Sequence, residues 1–160
     1  MHTHMTNTRI TDSEVFERRY PVILREFSLR KGSGGRGKHR GGDGVIRDIE
    51  FKIPVQVSIL SERRVYHPYG MMGGEDAACG LNIWVRKVAN AKEVVERRIN
   101  LGGKNTAAMK PGERIIICTP GGGGWGAVGE MKELRDWNRG NGAIRAGGSL
   151  QNREETALQA

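Results

Sequence analysis

Ile49, Phe51, Ile53, Val55, Val57 and Ile59 alternate with Glu50, Lys52, Pro54, Gln56 and Ser58. Successive side chains of a strand point to opposite faces, so this period of two predicts a half-buried strand or a pair of shorter ones. Pro54 has no amide hydrogen for a ladder and marks an edge, a bulge or a break within the run. Leu81, Ile83 and Val85 alternate in the same way, and the apolar run at Ile115, Ile116, Ile117 and Cys118 reads as a buried strand. The sequence Lys110-Pro111-Gly112-Glu113 ahead of that run has the proline and glycine of a tight turn. Near the start, Asp12 is placed to cap a short helix over residues 14–20, and Pro21 stops it before Val22, Leu24 and Phe27 begin another strand. Residues 88–101 carry Val94, Val95, Ile99 and Leu101 among charges and fit a weak strand or a helical turn equally. Met131, Leu134 and Trp137 fall on one face of a possible second short helix, before a polar tail from Gly140. The pattern predicts a mainly β, antiparallel fold with one or two short helices.

Composition adds one unusual feature: 24 of 160 residues are glycine, about twice the share in ordinary soluble proteins. With five prolines, no triplet period and no long Gly/Ser tract, neither collagen nor a flexible linker explains them. Seven lie in residues 32–44, four in 70–80 and five in 121–126, between the predicted strands. No apolar run reaches the length of a membrane span, and residues 1–12 show neither an apolar leader core nor an Arg-rich amphipathic pattern, so a cytoplasmic protein is the expectation. Length fits a single domain, complete or partial, and aromatic residues at 6% leave the core to Val, Ile and Leu. Cys79 and Cys118 are too few for a disulfide framework or zinc knuckle and read as buried free thiols.

Net charge is +8, and part of the excess is concentrated: Arg30, Lys31, Arg36, Lys38 and Arg40 lie within thirteen residues that hold no acid. The spacing Gly32-x4-Gly37-Lys38 approaches a P-loop, but His39 stands where a Ser or Thr should bind Mg²⁺ and a strand rather than a helix is predicted to follow. The loop therefore reads either as a solvated basic hairpin or as an anion nest of glycine amides flanked by Arg36, Lys38 and Arg40. Its Arg-Gly pairs resemble RNA-binding tracts, yet no aromatic lies between Phe27 and Phe51 to stack a base, which argues against a nucleic-acid partner. Four histidines without a ligand-spaced carboxylate cluster argue against a metal site. Ser61-Glu62-Arg63-Arg64 ends the strongest alternating run, where ion-pair and site roles are both open.

The order of segments carries more than any of these motifs. THMTNTRITD (residues 3–12), ERRYPVILREFSLRKGSGGRGKHRGGDGVIRDIEF (17–51), LSERRVYHPYGMMGGEDAACGLNIW (60–84), INLGGKN (99–105) and TPGGGGWG (119–126) resemble, in the same order, the C-terminal end of the hydantoinase B/oxoprolinase family in its eukaryotic 5-oxoprolinase branch. The resemblance implies a partial domain of a larger α/β-containing enzyme, with residues 1–126 as its C-terminal part and 127–160 as a short helix and polar tail. It further implies ATP-dependent opening of the 5-oxo-L-proline lactam to L-glutamate in the cytosol, a step of glutathione metabolism. ATP and Mg²⁺ would be held by a part of the enzyme this chain lacks, and the partner would be the remainder of an oxoprolinase chain or subunit, homo-oligomeric as a whole. A segment of this extent is expected to be inactive alone. The alternatives are a non-catalytic assembly module and a basic RNA-binding domain. Opening an activated lactam calls for cations near phosphate and carboxylate, which makes Arg9, Arg36, Arg40, Arg63 and Arg64 the candidate anion contacts. Gly121, Gly122 and Gly123 would let backbone approach a ligand or neighbouring subunit closely.

Overall fold

The computed structural model describes residues 10–89 and 94–130. Arg9, the helix expected around Met131, Leu134 and Trp137, and the polar tail lie outside the described residues.

Helix α1 (Ser13–Arg19) begins where Asp12 Oδ1 accepts the Glu14 amide at 3.0 Å and ends at Tyr20, whose extended backbone is what a following proline demands. Strand β1 (Val22–Arg30) follows, then β2 (Gly44–Phe51), β3 (Val55–Leu60), β4 (Leu81–Ala89), β5 (Val94–Asn100), β6 (Lys104–Met109) and β7 (Arg114–Cys118). Five strands form one antiparallel sheet in the order β1-β2-β7-β4-β5, while β3 and β6 pair separately. The alternating run is thus two strands. Pro54 breaks it, and its halves enter different sheets. Of the ambiguous segment at 88–101, Val88 and Ala89 end β4 and Val94–Asn100 form edge strand β5. Strand β6 has no counterpart in the sequence pattern, because Ala107 and Met109 bury only a small apolar face beside exposed Thr106 and Ala108.

Val22, Ile49 and Ile115 from the large sheet meet Ala107 and Met109 of β6, together with Leu101, in one buried cluster. The inward side chains of β3, Val55, Val57 and Ile59, pack against it from the small sheet, and Phe16 does so from α1. The turn before β7 is set by Gly112 at φ +79, a value that suits glycine after Pro111. Glu113, only 1% exposed, locks this turn: its Oε2 accepts the Lys110 amide at 2.9 Å and Trp84 Nε1 at 3.0 Å.

Pairing then brings the glycine-rich segments together. Arg30 lies opposite Gly44, Ile46 opposite Cys118, and Cys118 opposite Leu81, so the end of β1 and the starts of β2 and β4 share one end of the sheet with the end of β7. From that end project residues 31–43, 61–80 and 119–126. They join through their main chains. Gly35 N donates to Gly122 O, Gly122 N to Gly42 O, and Gly124 N to Glu75 O, each at 2.9 Å, and Glu75 N donates to Arg36 O at 2.7 Å. His39 and Trp125 exchange a reciprocal pair of bonds, each 2.9 Å. A Cβ on Gly35, Gly41, Gly74, Gly121, Gly123 or Gly124 would lie under 3.0 Å from a backbone carbonyl of a facing segment. None of these six needs a left-handed φ; what excludes a side chain is the approach of another backbone, as at the axis of collagen.

The two neighbours Gly41 and Gly42 separate this cause from general glycine flexibility. Gly41 faces the carbonyls of Gly122 and Gly123, whereas Gly42 has open space and an ordinary φ. Gly41→Ala should lower stability by about 1–3 kcal/mol or more, while Gly42→Ala should be neutral or stabilising by roughly 0.4–1 kcal/mol. Urea unfolding of the two variants measures the difference, and equal losses would contradict the packing account.

Candidate functional site

The bundle's base is fixed by polar groups that the charge pattern does not single out. Ser33, buried, donates its hydroxyl to Arg30 O at 2.7 Å and accepts the Gly44 amide at 2.8 Å, closing the base of the 32–44 loop. Arg30 Nη1 reaches Cys79 O at 2.6 Å and Thr119 O at 3.2 Å, so one guanidinium ties all three segments. Thr119 Oγ1 accepts the Val45 amide at 2.8 Å.

Asp43 plays the same part across the loop. Its Oδ1 accepts the Gly34 amide at 2.9 Å and pairs with Arg40 Nη2 at 2.5 Å. Burial alone would raise this carboxyl, but the Gly34 hydrogen bond and the Arg40 guanidinium outweigh it and hold the group below its ordinary value. Arg40, a candidate anion contact, is therefore engaged within the chain. Arg36 is different: its side chain is 63% exposed and its Nε meets the half-exposed Glu75 carboxylate at 3.3 Å. An ion pair so exposed holds its partners weakly.

Arg63 and Arg64 line a shallow cleft of about 360 Å³ with Ser61, Tyr66, Gly103 and Lys104, the last of these a cation the sequence pattern gives no reason to place there. Arg63 has φ 58, an uncommon conformation for a side chain of its size, donates to His67 O at 3.2 Å and lies over the Tyr69 ring. Arg64 donates to Glu62 O at 2.6 Å and to Asn82 Oδ1 at 3.2 Å. Asn82 is fully buried and spends its amide hydrogens on Ser61 Oγ at 2.9 Å and Gly102 O at 2.8 Å, which fixes the direction of its carbonyl toward Arg64. Burial is the main effect lowering the Arg64 guanidinium from its ordinary value, and Arg30 adds to it. Cys79 and Cys118 are free thiols, half-buried rather than buried as the sequence suggests.

Several glycine amides are likewise committed within the chain. Gly121 N and Gly122 N donate to Ala78 O at 3.2 Å and Gly42 O at 2.9 Å, and Gly41 N donates to Gly35 O at 2.9 Å. Residues 32–38 do not form a phosphate loop: the Ser33, Gly34, Gly35 and Lys38 amides donate within the chain, and β2 rather than a helix follows. Among the described residues no three His, Cys, Asp or Glu side chains gather as metal ligands.

Asp43 gives the loop a pH signature. Its carboxylate, depressed in the folded protein, contributes stability above the ordinary value of 3.8 that is lost as pH falls through the folded value. Asp43→Asn should lower the melting temperature near pH 7 and flatten its fall below about pH 4. Melting curves of both proteins between pH 2 and 7 check this, and parallel acid limbs would refute the assignment.

Comparison with known proteins extends the likeness seen in the segment order. The Hydantoinase B/oxoprolinase family matches residues 1–128. The chain is 60% identical to the 5-oxoprolinase of Saccharomyces cerevisiae over 71% of its length, and 56% identical to 5-oxoprolinase 1 of Arabidopsis thaliana over 78%. It spans only 8% and 9% of those two proteins. Its fold matches part of the ATP-dependent caprolactamase of Pseudomonas jessenii with a TM-score of 0.61 at 24% identity, over 91% of this chain and 27% of that one. With the family match running through all seven strands and every segment of the glycine bundle, the chain belongs to the hydantoinase B/oxoprolinase family.

Proposed function

We propose that this chain acts as the C-terminal portion of an ATP-dependent 5-oxoprolinase, which converts 5-oxo-L-proline, ATP and water to L-glutamate, ADP and phosphate. The observation that carries the reading is identity of 56% and 60% to two proteins named 5-oxoprolinase, over 78% and 71% of this chain. In this reading residues 1–126 are the hydantoinase B/oxoprolinase-like part and 127–160 an appended segment. ATP and Mg²⁺ belong to the portion of the relatives that this chain does not span, and the complete cytosolic enzyme is a homo-oligomer. The chain alone is inactive. Its own contribution is a rigid backbone scaffold that carries cations to the substrate's anionic groups. Arg36 is the most available of the described candidates, because its one ion pair faces water. Arg40, Arg63 and Arg64 shape the loops around it, and Gly121 and Gly123 hold the bundle to a thickness no side chain would permit, with Gly122 between them in ordinary contact.

A purely architectural role is the second reading, favoured by the pairing of Arg40, Arg63 and Arg64 within the chain. One reconstitution separates the two. The chain is mixed with Saccharomyces cerevisiae 5-oxoprolinase lacking the segment that the chain matches, and 5-oxoproline-dependent release of ADP and glutamate is followed. The chain alone should give no turnover and the mixture should restore it. Arg36→Ala should lower the restored rate roughly tenfold or more with an unchanged melting temperature. Unchanged turnover in that variant would leave the architectural reading, and a mixture that associates without turnover would overturn the enzymatic one.

A further inference from the structure

The loop between β3 and β4 combines two properties that seldom occur together. Its backbone is pinned. Met71 N donates to Gly124 O at 2.9 Å, Gly126 N to Met71 O at 2.9 Å, and Gly70 N to Asp76 Oδ1 at 2.8 Å. Ala77 N donates to Pro68 O at 2.9 Å, and His67 Nδ1 lies 2.7 Å from Ala77 O. The Tyr69 carbonyl sits where a Cβ on Gly123 would fall. Yet its large apolar side chains are left in water: Val65, Tyr66, Tyr69, Met71 and Met72 are all exposed, Tyr66 by 80% and Met72 by 72%, and so is Trp125, which bridges to Met71.

Both described non-glycine residues with positive φ, Arg63 at 58 and Met72 at 52, belong to this loop. Strained backbone persists where surroundings over-determine it, and it concentrates where a surface has work to do. A mobile loop could fold its apolar groups inward; this one is held by the bundle with those groups outward. Side chains on a fixed backbone have less freedom to lose on association, which favours docking. Exposed apolar groups on a fixed loop suit an interface.

We infer that residues 65–72, with Trp125, form a preorganised docking platform for the part of a 5-oxoprolinase-type polypeptide that this chain lacks. The inference rests on the proposed function and adds the surface through which it operates. The occupant follows from extent: the chain spans 8% and 9% of two 5-oxoprolinases, and its fold occurs as 27% of a longer solved chain, so in each relative most of the polypeptide lies outside this segment. Tyr and Met suit such a contact, Tyr because it presents a rigid amphipathic ring and Met because its side chain adapts to a facing surface. Arg63, stacked on Tyr69, supplies a polar margin.

The test uses the 160-residue chain and the yeast 5-oxoprolinase lacking the matched segment, with affinity measured by titration calorimetry. Tyr66→Ser with Met72→Asn removes two exposed apolar groups, and Asn tolerates the left-handed backbone of position 72. This double variant should keep the wild-type circular dichroism and melting temperature and bind roughly tenfold more weakly or worse. Leu29→Ser, at an exposed position on β1 outside the platform, should bind as wild type does. If wild type binds and restores turnover while the double variant binds equally well, the platform is wrong and the functional reading survives. If wild type neither binds nor restores turnover, the platform and the functional reading fall together. Concentration-dependent self-association of the chain alone that the double variant abolishes would assign the surface to a second copy and overturn the stated occupant.

Discussion

The structure depends on how closely three backbones approach one another. Where residues 33–43, 68–78 and 119–126 meet, main-chain amides and carbonyls of different segments bond directly, and glycine removes the side chains that would hold them apart. Such packing satisfies polar groups rather than burying apolar ones, which is how a chain with 37% hydrophobic and 6% aromatic residues builds a second compact region beside its modest core. The cost is conformational entropy, since glycine loses more freedom on ordering than any other residue. It is offset because the segments are not free chains. Pairing of Arg30 with Gly44, Ile46 with Cys118 and Leu81 with Cys118 places their roots side by side.

That arrangement explains what the sequence showed and what it concealed. Alternation located the end of β2, β3 and β4, a break at Pro54 was one of three readings of that run, and the Lys110-Pro111-Gly112-Glu113 turn was legible from residue chemistry alone. Strand β6 was not, because Ala107 and Met109 alternate with residues too small or too polar to register as a pattern. The three glycine clusters were visible as loops, and their order carried the family resemblance. Their mutual hydrogen bonds were not visible, because the Gly35–Gly122 and Gly124–Glu75 contacts join positions far apart in the chain and no local signal encodes them.

The cations show the same limit. A charge run identified Arg36 and Arg40 as equivalents, and the fold makes them different. Arg40 meets Asp43 in a partly shielded pair that also binds the Gly34 amide, whereas Arg36 meets Glu75 in water. Arg64 is likewise committed by Asn82, a residue with no distinguishing sequence pattern, whose complete burial forces each of its polar atoms to find a partner. Counting charges measures the supply of cations. The carboxylates and carbonyls that the fold brings beside them determine how many remain for a ligand.

Rigid glycine contacts and exposed apolar side chains are two consequences of one design. A segment whose backbone is its packing surface has no inward direction for large side chains, so Tyr66, Tyr69, Met71 and Met72 can point only away from the bundle that holds their main chain. In an isolated module such a surface is a liability. Within polypeptides of which this segment is about a tenth, the same constraint is useful. The bundle fixes the position of the apolar groups through contacts that need no other part of the protein, so a neighbouring region finds them already in place. Polar packing inside and apolar contact outside then act in series: the first sets the geometry, and the second transmits it to whatever is built against it.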